Sequence, residues 1–133
     1  MSQETVFRDA IDALRAQGGR FAREAYVFVV AVLGEVVRGL PASRLADPAR
    51  RHLTGQELTA GVIRIARDEF GPLAPMVFRE WGVRSTEDIG EIVFDLVRAG
   101  HLSARDEDTM ADFSSRQTDL LGALAEPLDT ASR

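Results

Sequence analysis

Cysteine and lysine are both missing from this chain, and tryptophan and tyrosine occur once each, as Trp81 and Tyr26. Without cysteine there is no disulfide scaffold, no thiolate zinc site, no cysteine-ligated iron–sulfur cluster and no cysteine nucleophile. Without lysine, all 16 basic residues are arginine, a bias read here as codon usage in a GC-rich genome. Long apolar runs are also scarce. The longest, Ala25 to Leu33, spans nine residues before Gly34 and Glu35. A bilayer-spanning helix needs about 18 or more. The opening Met1-Ser2-Gln3-Glu4-Thr5 lacks the basic start and apolar stretch of a secretory signal. A cytoplasmic location without membrane association is the expectation.

What is present is the composition of a folded domain. The 133 residues are 45% hydrophobic and 28% charged, enough for one core and too apolar for disorder. Charge divides unevenly. Residues 1–66 hold 9 arginines against 7 acids, and residues 67–133 hold 7 arginines against 14 acids, giving a chain of net charge −5. An acidic second half argues against nucleic acid, whose binding draws on cations that displace counterions from phosphates. A protein partner, or self-association, is the better expectation.

Apolar spacing predicts a mainly α chain. Phe7, Ala10, Ile11 and Leu14 share a helical face over about 4–17, closed by Gly18-Gly19. The β-branched run 25–33 fits either a buried strand or a helix. Tyr26, Val29, Val30, Leu33, Val36, Val37 and Leu40 extend it at helical spacing, which favours a central helix over 21–40. Pro41 stops it, and 41–50 reads as a loop. Thr54 and Glu57 form a capping box for a helix carrying Leu58, Val62, Ile65 and Ala66 inward. A short helix follows Pro72, with Leu73, Val77 and Trp81 on one face and Gly82 at its end. Ser85 caps the next helix, whose core stripe is Ile89, Ile92, Val93, Leu96 and Val97. A small hairpin is expected within 101–113, and Leu120, Leu121 and Leu124 allow another amphipathic turn. This order suggests a compact helical domain over 1–125, winged-helix-like in its second half, with a flexible tail over 126–133.

Three stretches resemble a family of small bacterial proteins of unknown function: Arg51 to Leu58 (RHLTGQEL), Glu69 to Ala74 (EFGPLA) and Trp81 to Phe94 (WGVRSTEDIGEIVF). Weaker similarity around Ala25-Tyr26 and Asp112-Phe113 extends the resemblance over about 21–113. It implies no activity, cofactor or catalytic residue.

Candidate chemistry is sparse. Asp88, Glu91 and Asp95 recur on one helix face away from the apolar stripe, where a solvated role outweighs cation binding. Asp106, Glu107, Asp108 and Asp112 lack the glycine of a calcium loop and read as a polar turn. His52 follows Arg50-Arg51 just before a helix cap, a place for an anion or a general base. His101 suits the helix C-terminus it follows. No metal or other cofactor is expected. The candidate partner-binding residues are Arg51, His52, Trp81, Arg84, Asp88 and Glu91. The favoured function is a non-enzymatic protein-interaction or adaptor module. The alternatives are a DNA-binding winged helix, which requires Arg20, Arg23, Arg50 and Arg51 to form a basic surface, and a small anion-binding enzyme joining His52 to Glu91.

Overall fold

The computed structural model describes residues 3–16, 18–47, 53–99 and 119–125. Among these residues the helices are α1 (Gln3–Ala16), α2 (Arg23–Arg38), α3 (Ala42–Leu45), α4 (Gly55–Phe70), α5 (Ala74–Trp81), α6 (Thr86–Arg98) and α7 (Leu120–Ala125). A single 3-10 turn, Gly71–Leu73, joins α4 to α5. No strand occurs among the described residues, so the fold is mainly α and the run 25–33 is helical. None of the described helices is long and apolar enough to cross a membrane.

The sequence signals act where expected. Gly18 ends α1 at φ 107° and Gly82 ends α5 at φ 84°, backbone conformations that cost a residue with a Cβ. Both halves of the Thr54–Glu57 capping box are formed. Pro72 falls in the 3-10 turn, where its missing N–H removes no helical bond.

Helix α2 is the centre of the molecule. It packs on α4, α6, α5 and α1, and it contributes Ala25, Tyr26, Phe28, Val29 and Val32 to the core. The expected stripe is therefore too narrow and slightly rotated. Phe28 and Val32 are buried, whereas Val37 and Leu40 are only half-buried. A helix covered on several sides buries more than one stripe, so periodicity understates its core face. It meets α4 at close range: a Cβ on Gly61 would lie 2.5 Å from Val36 Cγ2 and 3.3 Å from Val32 Cγ1.

Three expectations change. The stretch 41–50 holds a turn of helix, α3, starting after Pro41. Leu73 points outward at 56% exposure, and the inner face of α5 is Ala74 and Phe78. The 3-10 turn ahead of α5 offsets the register that a continuous helix would impose. Asp88 and Asp95 are buried rather than solvated, as described below.

The order helix, short helix, turn, helix holds from α4 to α6. Leu120 and Leu124 are buried, and α7 packs on α5 and α4. The hairpin expected at 101–113, the tail 126–133, and the residues Arg50, Arg51, His52 and His101 lie outside the described residues, as does the Phe7 side chain.

Candidate partner-binding surface

Trp81 ends α5 inside a cluster of four aromatic rings. Its ring centroid lies 5.5 Å from Phe28, 5.7 Å from Phe70 and 5.4 Å from Phe78. Phe28 also meets Phe70 and Phe78, at 5.7 and 5.8 Å. Such offset and edge-on pairs add about 0.5–1.5 kcal/mol each beyond their buried area. Phe28 and Phe78 are buried, while Phe70 and Trp81 keep one edge in solvent. Trp81 is thus both a core residue and part of the surface.

That surface is a groove of about 590 Å3 along α2 and the C-terminal half of α4. Its apolar lining includes Val27, Ala31, Ile65, Phe70 and Trp81. Val27 is 44% exposed, on the same solvent-facing side of α2 as Ala31. The rim is charged. Arg23 is held by Asp12 at 2.6 Å and Arg38 by Glu35 at 2.6 Å. Glu24 and Glu69 have no ion-pair partner among the described residues. The uncompensated charge of the groove is therefore negative.

Asp88 and Glu91 come together, around Arg20. The Arg20 guanidinium donates to Asp88 Oδ1 at 2.5 Å and to both Glu91 oxygens at 3.0 Å. It also stacks over the Phe21 ring at 4.4 Å. The two carboxylates raise the Arg20 pKa further, through hydrogen bonds from Glu91 first and Asp88 second. Asp88 is the third helical residue of α6 and completes a capping box with Ser85. Its Oδ2 accepts from the backbone N–H of Arg84 at 2.8 Å and of Ser85 at 3.2 Å. Those bonds and Arg20 satisfy a carboxylate that is only 8% exposed. The solvated reading of this face fails because Arg20 of the α1–α2 link and Tyr26 of α2 reach across it.

Asp95, one turn further along, is buried for the same reason. Its Oδ2 accepts from the Tyr26 hydroxyl at 2.9 Å and its Oδ1 from Arg98 at 2.6 Å. Burial, and then the bond to Asp95, push the Tyr26 phenol well above its usual range. No group of three or more potential metal-ligating side chains occurs among the described residues.

Arg84 is exposed, and only its backbone N–H takes part in the Asp88 network. Arg51 and His52 lie outside the described residues. Sequence reasoning missed Arg20, Tyr26 and Asp95 as partners, and Val27, Phe70, Glu24 and Glu69 as a surface. A nine-residue apolar run followed by a turn of valines was the available signal that α2 had more apolar faces than one contact needs.

The chain matches no family model, and comparison with curated proteins and with solved structures gave no match.

Proposed function

We propose that this chain is a non-enzymatic protein-interaction module whose α2–α4 groove receives a basic amphipathic helix of a protein partner. The observation that carries this reading is the pairing of an exposed apolar floor, Val27, Ala31, Phe70 and Trp81, with two unpaired carboxylates, Glu24 and Glu69. Apolar floors with complementary charge at the rim are the usual chemistry of helix-in-groove recognition. From Glu24 to Arg38 the groove runs about 21 Å, the length of about 14 residues of helix.

The competing readings draw less support. The DNA-binding reading rests on Arg20 and Arg23 within a basic surface, yet both are neutralised by acids. Helix α6, which would enter the groove of a duplex, carries Glu87, Asp88, Glu91 and Asp95 against Arg98. An enzyme built on Glu91 would need a free carboxylate, and Arg20 holds both of its oxygens.

Trp81, the only tryptophan, reports the test directly. A synthetic leucine–lysine helix of about 14 residues should shift Trp81 emission to the blue and saturate. A leucine–glutamate peptide of the same length should not. Ala31→Arg, an exposed change to a good helix former, should weaken the leucine–lysine peptide about tenfold or more. Unchanged emission, or an Ala31→Arg protein that binds as well as wild type, sinks the proposal. A dimer in sedimentation velocity that Ala31→Arg dissociates would replace the foreign helix with a second copy of this chain.

A further inference from the structure

On the other side of Trp81 lies a second concavity, of about 380 Å3, with the opposite electrostatic character. Arg15 from the last turn of α1, Arg20 from the α1–α2 link, Arg79 from the last turn of α5 and Arg84 from the turn before α6 all line it. Glu80 is the one acid among the described residues that line it. Arg20 is occupied by Asp88 and Glu91. Arg15, Arg79 and Arg84 make no ion pair among the described residues. Three arginines with no ion pair among the described residues therefore line one hollow of a chain whose net charge is −5.

We propose that this hollow binds a phosphate dianion, free or carried as a small phosphomonoester. With the Arg20–Asp88–Glu91 cluster included, four arginines face three acids, and the net positive charge of one attracts an anion. Guanidinium forks suit the multiple acceptor oxygens of phosphate, and charge-assisted bonds of this kind are about twice as strong as neutral ones. The walls are fixed to each other, because the Ala22 N–H donates to the Trp81 carbonyl at 3.1 Å. Gly82 allows the approach: a Cβ there would lie 3.3 Å from the Arg20 carbonyl, and φ is 84°. The hollow is larger than one phosphate, which leaves space for the group that carries it.

The test is a titration of the whole protein followed by backbone amide shifts, at about 0.1 M salt to screen loose surface attraction. Inorganic phosphate and O-phosphoserine are the two probes. Saturable shifts at Gly19 and Gly82, with Gly34 and Gly122 unmoved, are expected from at least one of them. The tighter probe identifies the dianion as free or carried. Acetate should bind at least about tenfold more weakly. Arg79→Ala with Arg84→Ala should weaken the better probe about tenfold, while Arg64→Ala, an exposed arginine on α4, should not. Shifts that rise without saturation through the millimolar range, or a double variant that binds like wild type, overturn the site. So does random duplex DNA that displaces phosphate from the same amides. These results do not depend on the α2–α4 groove, so either surface can fail alone.

Discussion

The Tyr26 hydroxyl donates to Asp95 across 69 residues of sequence, at 2.9 Å, inside the core. Tyr26 is 0% exposed and Asp95 5%. Tyr26→Phe keeps the ring and its edge-on contact with Phe21 but takes one bond from a buried carboxylate, leaving it Arg98. The expected loss is about 1–3 kcal/mol. Urea denaturation of the single variants and of the double variant with Asp95→Asn checks it. A coupling near zero in that cycle would mean the two groups act independently.

Asp88 and Glu91 share Arg20 but differ in consequence. Asp88→Ala removes a buried acceptor from two backbone N–H groups as well as from Arg20, and it should cost about 2–3 kcal/mol. Glu91→Ala removes only a half-exposed ion pair, and it should cost less than about 1 kcal/mol. Thermal melts of both variants decide this, and equal costs would contradict the geometry described for α6.

Two glycines on neighbouring helices should respond oppositely to alanine. At Gly61 a Cβ meets Val36 Cγ2 at 2.5 Å, so α2 and α4 must separate, at about 1–3 kcal/mol, more than the roughly 1 kcal/mol gained in helix propensity. At Gly34 the nearest atom is the mobile Arg38 Nη1 at 3.5 Å. Gly34→Ala should therefore stabilise by about 0.5–1 kcal/mol. Chemical denaturation of the pair tests the sign of each.

Glu57 ties the start of α4 to α3. Its carboxylate takes both Arg44 guanidinium nitrogens and the Thr54 N–H, and these lower its pKa from 4.5 to about 2, Arg44 first. A depressed carboxylate stabilises the fold fully above its unfolded pKa and loses that contribution as pH falls through the folded one. Wild type should thus lose melting temperature relative to Glu57→Gln between pH 4.5 and about 2, with the two converging at the acid end. A constant difference from neutral pH to pH 2 would show that the ion pair adds nothing.

Much of the architecture is legible in the residues because its causes are local. Gly18, Thr54, Glu57, Gly82 and Ser85 set helix ends through bonds within a few positions, and the sequence places all of them. The partners of Asp88 and Asp95 are not legible. An acid opposite an apolar stripe looks solvated until Arg20 and Tyr26 arrive from about 70 residues away. Helical periodicity puts Leu73 inside, and the 3-10 turn at Gly71–Leu73 breaks that register and turns it outward. The sequence places Trp81 at a helix end before Gly82, but neither the groove nor the arginine hollow flanking it has any signature in linear spacing. Both are assembled from helix ends distant in the chain.

The Ala22–Trp81 backbone bond, the Arg20 bridge and the Tyr26–Asp95 bond all join the first third of the chain to the α5–α6 region. The loop they close spans 59 to 71 residues, from Ala22–Trp81 to Arg20–Glu91. Helices with good caps form within about a microsecond, but closing such a loop has an entropic cost before its contacts can reward it. Docking of the α1–α2 segment is therefore expected late in folding, which stopped-flow kinetics of the variants checks. Substitutions at Tyr26 and Arg20 should speed unfolding, and changes within the α4–α6 run should slow refolding.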